Sequence, residues 1–126
     1  MTKIQVTFIS LLSSSYFLAA REIRVPDDHE TIQDAIAEAN TGDVILVIPG
    51  TYRERIVLKA GIQLRSVGPE GKGEIGLTRA ETTIIDGGNE VGDSPGVTMA
   101  EGSTLDGFTI TNVGRYDDEK WQKHWD

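Results

Sequence analysis

Three short runs of aliphatic residues, each ending in glycine, follow one another between Gly42 and Gly68. They constrain the fold more than any other feature and read ILVIPG, RIVLKAG and IQLRSVG. No helical period of 3.6 residues connects them, and the glycine-marked turns are typical of short β-strands. Strands of this length bury an apolar face only by stacking on neighbouring strands. The sequence therefore predicts strands that turn sharply at each glycine.

The same order of runs recurs later in the chain. VILVIPG at Val44 corresponds to TTIIDGG, RIVLKAG to GVTMAEG, and IQLRSVG to STLDGFTI. In the second and third pairs the offset is 41 positions, which aligns Ile56 with Val97 and Leu64 with Leu105. Such a repeat predicts parallel strands stacked in register, and an ordinary β-sandwich has no reason to show it.

The segments around this repeat are interpreted from their composition. PEGKGEIGLTRAE and GGNEVGDSPG are rich in glycine, proline and charge, so both are predicted to be surface loops. Glycine also marks the turns of the strands themselves. The predicted corner residues are Gly50, Gly61, Gly68, Gly87 and Gly102.

A short helix is predicted before the first aliphatic run, from about Thr31 to Asn40. Its apolar residues fall at i, i+3, i+4 and i+7, which places them on one face; they are Ile32, Ala35, Ile36 and Ala39. Thr31 with Asp34 resembles a capping box. A helix this short needs packing to persist, so we expect Ile32 and Ile36 to cover the apolar end of the first strands.

Residues 1–20 differ from the remainder and are interpreted as a signal peptide. Lys3 precedes an apolar, serine-rich stretch that ends at Ala20 before the charged REIR. Leu18 departs from the usual cleavage pattern, and a membrane anchor or a packed first helix is the alternative. The expected mature part is therefore 21–126, and the expected location is secreted, periplasmic or on the cell surface.

Charge and cysteine content exclude some classes of function. The formal net charge is −8, which disfavours binding to nucleic acid or, once the leader is removed, to an anionic membrane. The chain has no cysteine, so neither a disulfide framework nor a thiolate metal site is available.

A long stretch of the sequence, from Val25 to Leu58, resembles a known protein family. VPDDHETIQDAIAEANTGDVILVIPGTYRERIVL resembles the start of right-handed parallel β-helix proteins of the pectin-lyase-like superfamily, and TIIDGG and GFTITN resemble later repeats of that fold. The similarity extends from about Ile23 to Val113, and its opening most resembles pectin methylesterases. It implies an all-β fold, a single-stranded right-handed parallel β-helix with an N-terminal capping helix. The remaining coils would then lie in a longer chain.

The resemblance also implies polysaccharide recognition or modification, with a polysaccharide as partner. An enzyme of this kind would be a lyase, a glycoside hydrolase or a carbohydrate esterase. No position matches the family's catalytic motifs, so no catalytic residue is predicted, and this chain alone is expected to be inactive. The alternatives are a non-catalytic structural or binding solenoid at the cell surface and a periplasmic copper-binding accessory β-helix protein.

Several residues that suggest chemistry have simpler interpretations. Asp86 and Asp106 fall on different sides of the repeat, and Asp-Gly is a common turn dipeptide. DGGNEVGD offers oxygen ligands suited to calcium, but it occurs once, so no metal or other cofactor is predicted and calcium is kept only as an option. His29 and His124 are too far apart to form a local metal pair. Met99 aligns with Leu58 and is predicted to be buried.

The end of the chain, GRYDDEKWQKHWD, is rich in aromatic residues and charge. Tyr116, Trp121 and Trp125 are candidate carbohydrate contacts, because aromatic rings stack on the apolar faces of sugars. Trp121 and Trp125 are four positions apart and would share one face of a helix. The alternative is that these residues pack against the protein itself.

Overall fold

The computed structural model describes residues 20–88 and 94–114. This part of the chain contains two α-helices and nine β-strands. In chain order they are β1 Glu22–Val25, α1 Ile32–Glu38, β2 Val44–Val47, β3 Gly50–Arg53, β4 Ile56–Val57, β5 Gln63–Ser66, α2 Thr78–Thr82, β6 Thr83–Asp86, β7 Val97–Thr98, β8 Thr104–Asp106 and β9 Thr109–Thr111.

The strands form three small parallel sheets. The four-stranded sheet has the order β1-β2-β5-β8, the three-stranded sheet β3-β6-β9, and the two-stranded sheet β4-β7. Ile56 lies opposite Val97 and Leu64 lies opposite Leu105, so the parallel pairing predicted from the 41-residue offset is confirmed. Parallel neighbours are about 4.8 Å apart, which brings each such pair of side chains into contact.

The apolar core lies on the inner faces of the sheets. Burial alternates along β1, β2 and β5, as it must when one strand face meets the core and the other meets solvent. The helix α1 adds its apolar stripe to the same cluster. The buried core residues are Ile23, Val25, Ile32, Ala35, Ile36, Ala39, Ile45, Val47, Ile56, Leu58, Ile62, Leu64 and Ile85.

The predicted first pair of the repeat is wrong. The run at Val44 was aligned with the run at Thr82, but β2 pairs with β5, and β6 pairs with β3. The sequence interpretation missed β3 because its residues GTYR contain no aliphatic side chain. Its inward residue is Tyr52, which packs against the core opposite Ile85.

The predicted fold class is also wrong. The structure is a mixed α/β arrangement of three small parallel sheets and two helices, not an all-β single right-handed parallel β-helix. The connection from β1 to its parallel neighbour β2 runs through α1, and the connection from β5 to β6 runs through α2. The first of these helices was predicted as a cap, but α2 stands in a connection where the repeat interpretation expected only a surface loop.

The helix α1 is anchored at its start by two side chains. Thr31 Oγ1 accepts a hydrogen bond from the Asp34 N–H at 3.1 Å, which confirms the predicted N-cap. Glu54, which follows β3, accepts from the Ile32 and Gln33 N–H groups at 2.9 and 3.0 Å. A carboxylate at this position also complements the positive end of the helix dipole.

Lysine and glutamine side chains complete the attachment of α1. Lys59 Nζ donates to the Ala37 and Ala39 carbonyls at 2.7 and 3.0 Å, near the C-terminal end. The Gln33 amide accepts from the Val57 N–H at 2.8 Å and donates to the Val57 carbonyl at 3.3 Å. Gln33 thus supplies to the edge of β4 the pair of hydrogen bonds that another strand would supply.

The segment before β6 departs from its prediction as a surface loop. It contains α2, and Arg79 on this helix is 3% exposed. Arg79 Nη1 donates to Ser66 Oγ at 3.1 Å and to the Asp106 carbonyl at 3.0 Å, while Nη2 donates to Asp106 Oδ1 at 2.8 Å. Arg79 therefore ties α2 to the four-stranded sheet.

Candidate functional site

A row of polar residues crosses the outer face of the three-stranded sheet at the C-terminal ends of its strands. Arg53 on β3 lies opposite Asp86 on β6, and Asp86 lies opposite Thr111 on β9. Their inward neighbours Tyr52 and Ile85 face the core, so alternation turns the row towards solvent. The sheet register alone therefore places a cation, an anion and a hydroxyl side by side.

Asp86 is held as a carboxylate within this row. Its Oδ1 accepts from the Gly88 N–H at 2.8 Å, and its Oδ2 accepts from Asn112 Nδ2 at 3.2 Å. These two hydrogen bonds, with a weaker contribution from the charge of Arg53, lower the pKa of Asp86. Asp86 is consequently ionised at neutral pH and serves as a hydrogen-bond acceptor.

Arg55 forms the adjoining wall by bridging three carbonyl groups. Its Nε donates to the Gly87 carbonyl at 3.0 Å, its Nη2 donates to the Val113 carbonyl at 3.1 Å, and its Nη1 donates to the Ser94 carbonyl. This guanidinium joins the chain after β6 to the chain after β9. It is therefore fixed as a structural part of the wall.

A pocket of about 330 Å³ lies between these groups. Its lining residues are Arg53, Glu54, Arg55, Asp86, Gly87 and Gly88. Glu54 is committed to the start of α1. Arg53 is exposed, and it is the lining cation that makes no hydrogen bond or ion pair with any described residue.

A second pocket, of about 400 Å³, lies beside α1. Its charged side chains are paired with one another or with neighbours: His29 contacts Glu38, and Arg21 bonds Asp43 at 3.2 Å. Four hydrogen bonds hold the buried Asp43 in place: two come from the backbone N–H groups of Asn40 and Arg21, and two come from the Arg21 guanidinium. The hydrogen bond from Asn40, which outweighs the opposing effect of burial, lowers the pKa of Asp43, and Arg21 adds to the shift. This second pocket is therefore a structural junction.

The predicted corner glycines fall into three structural groups. Gly61 and Gly102 are left-handed turn residues with φ of 75° and 69°, and they stack on each other. Gly68 and Gly87 allow close approach, because an added Cβ would lie 2.8 Å from Arg79 Cβ or 2.9 Å from the Asn112 carbonyl oxygen. Gly50 is the first residue of β3 and pairs with Thr83, so it lies in a strand.

The predicted cap residues Ile32 and Ile36 are buried, at 0% and 1% exposure. Met99 was expected to be buried like Leu58, but it is 51% exposed while Leu58 is 4% exposed. Met99 follows β7, the last strand of its sheet among the described residues, so no further strand covers it there. That prediction was wrong because a repeat indicates which way a side chain points, but it does not indicate whether a further strand covers that side chain.

The two candidate carboxylates Asp86 and Asp106 lie in different sheets, on β6 and β8. Asp106 accepts from Arg79, a partner that sequence analysis missed because Arg79 lies in a segment with the composition of a surface loop. In the part of the chain that is described, no group of three or more histidine or acidic residues is arranged to hold a metal ion.

Other predicted sites lie outside the described residues. The candidate carbohydrate contacts Tyr116, Trp121 and Trp125 are among them, as is His124. The candidate calcium ligands Asn89, Glu90 and Asp93 and most of the signal peptide are outside them too. Within 20–88 and 94–114, no helix has the length and apolar character needed to cross a membrane.

Comparison with known proteins found no match among protein-family models, curated proteins or solved structures.

Proposed function

We propose that this is an exported protein that binds an acidic polysaccharide through the pocket beside Arg53, and that the described part binds its ligand without cleaving it. The observation that carries the proposal is an exposed arginine, unpaired among the described residues, at the mouth of a pocket with two glycines in its lining. A guanidinium binds a carboxylate through two parallel hydrogen bonds, which suits a uronic acid.

The rest of the pocket supports a saccharide rather than a small anion. Gly88 lines the pocket without a side chain, so a sugar ring meets little steric obstruction there, whereas the side-chain position of Gly87 is taken up by Asn112 and Val113. Asp86 has an acceptor position to spare on each oxygen, because a carboxylate offers about four lone-pair sites and two are occupied. Asp86 would accept from a sugar hydroxyl while Arg53 binds the carboxylate.

The carboxylates near the pocket favour binding over catalysis. Asp86 has a lowered pKa, so at neutral pH it has no proton to donate to a leaving group. Glu54 already accepts from two backbone N–H groups of α1, which leaves it a poor partner in proton transfer. Among the described residues these two are the acidic groups of the pocket lining.

The test is a titration of the full chain with an oligogalacturonate, followed by calorimetry, beside a neutral oligosaccharide of equal length. Because the protein carries a formal charge of −8, long-range repulsion opposes the acidic ligand, and the affinity is expected to rise as salt screens that repulsion. Arg53→Gln should weaken binding by about tenfold or more, since it removes a charge-assisted contact.

Arg24→Gln is the matched control. Arg24 is also exposed, and its guanidinium is bound to Glu22 on β1, away from the pocket. The control should leave the affinity unchanged. Equal losses in both variants would mean that the glycan responds to overall charge, and no binding by the wild-type chain would favour a structural role at the cell surface instead.

A further inference from the structure

The last strand of each sheet leaves an apolar surface uncovered within the described part of the chain. We call this surface the terminal layer and define it by β7, β8 and β9 together with Met99 and Ala100. Ile85 is 0% exposed, but its partner Ile110 on β9 is 41% exposed, and Met99 is 51% exposed. The inward side chains of the terminal layer therefore lack the cover that one further layer gives to the residues below.

The chain leaves the terminal layer at a fixed point. Asn112, with φ of 52°, turns the backbone after β9. Val113 then packs against Gly96, the residue before β7, and its carbonyl accepts from Arg55 Nη2 at 3.1 Å. Gly114 follows directly and is the last described residue, so the described chain ends close to Gly96 and the start of β7.

We propose that residues 115–126 dock on the terminal layer and cover its apolar surface with Tyr116, Trp121 and Trp125. Twelve residues extend to about 40 Å at most, which is enough to cross sheets that pack about 10 Å apart. A tyrosine and two tryptophans each bury roughly 150–250 Å² of surface when they pack.

Charge and connectivity favour this segment over a second copy of the chain. Two copies would each bring a formal charge of −8 to the interface, which opposes association. The segment is attached beside the surface, so its effective concentration there is of millimolar order. Burial of the aromatic residues in this way would remove them as carbohydrate contacts.

Tryptophan fluorescence of the full chain tests the proposal directly, because both tryptophans of the protein lie in this segment. The expected result is a blue-shifted emission and a quenching constant for acrylamide several-fold below that of free tryptophan, at every protein concentration. Ile110→Asp and, separately, Met99→Asp should restore ready quenching. Both residues are substantially exposed, so the far-ultraviolet circular dichroism should remain that of the folded chain.

Ile75→Asp is the control, because Ile75 is 87% exposed in the loop before α2 and belongs to no part of the terminal layer. It should leave quenching unchanged. Tryptophans that are readily quenched in the wild-type chain would overturn the proposal, as would burial that neither terminal-layer variant reduces. Burial that appears only as concentration rises would replace the segment by a second copy, and would overturn it as well.

Discussion

The two ends of the stacked strands differ in how their apolar side chains and backbone groups are covered. At one end α1 lies on the first strands, and Gln33, Glu54 and Lys59 satisfy backbone groups there. At the other end β7, β8 and β9 are the last strands described, and Ile110 on β9 and Met99 after β7 are exposed. Parallel sheets leave polar backbone edges and apolar ends that must be covered, and here one cover is a helix joined to the sheets by specific side chains.

The short helix α1 persists because it packs on the sheets and is bonded to them. A helix of seven residues is unstable alone, but α1 buries Ile32, Ala35 and Ile36 and receives side-chain hydrogen bonds at both ends. Packing and hydrogen bonding to the sheets therefore stabilise α1. In return, α1 shields the edge of β4 from other chains.

The largest expected effect comes from placing a charge at each end. Ile36→Asp buries an uncompensated carboxylate under α1 and should lower the free energy of unfolding by about 3–5 kcal/mol. Ile110→Asp places the same charge where the side chain is 41% exposed and should cost less, about 1–2 kcal/mol including the lost docking of residues 115–126. Chemical denaturation measures both. Equal losses at the two ends would remove the distinction between them.

A smaller effect is expected at the start of α1. Glu54→Gln keeps the shape of the side chain but removes the charge that accepts from Ile32 and Gln33, and it should cost about 1 kcal/mol. Glu101→Gln is the control, because Glu101 is exposed in the turn before β8. The control should have no measurable effect on the denaturation midpoint. If Glu54→Gln were equally silent, the carboxylate would not be holding the helix.

The smallest effect is a dependence on pH at the turn after α1. The pKa of Asp43 is lowered in the folded state from its ordinary 3.8, so its stabilising contribution is complete above about pH 4. That contribution is lost as the pH falls through the lowered folded-state value. Asp43→Asn should therefore flatten the decline in the free energy of unfolding on acidification, measured by urea denaturation at a series of pH values. An unchanged decline would show that other carboxylates govern acid unfolding.

Sequence analysis predicted those parts of the fold that depend on regular spacing. The offset between Ile56 and Val97 gave the correct strand register, and the apolar stripe gave α1 and its N-cap at Thr31. These features are local, or they repeat at a fixed interval, so the order of residue types is enough to reveal them.

The features that were missed depend on contacts between distant residues of unremarkable composition. β3 has no aliphatic residue, and it is a strand because β6 pairs with it. Arg79 lies in a segment rich in glycine and charged residues, yet it is buried and donates a hydrogen bond to Asp106, 27 positions later. The polar row of Arg53, Asp86 and Thr111 also follows from this sheet register, so no motif in the sequence could have indicated the pocket.

Site-resolved amide hydrogen exchange on the full chain tests most directly whether α1 closes its end. Val57 is 55% exposed as a residue, so burial of its side chain cannot protect its N–H. The hydrogen bond to Gln33 should slow exchange of this amide by at least about tenfold relative to an unstructured chain, and Gln33→Ala should abolish that protection. Exchange of the Val57 N–H at the unprotected rate in the wild-type chain would contradict the closure of this end by α1.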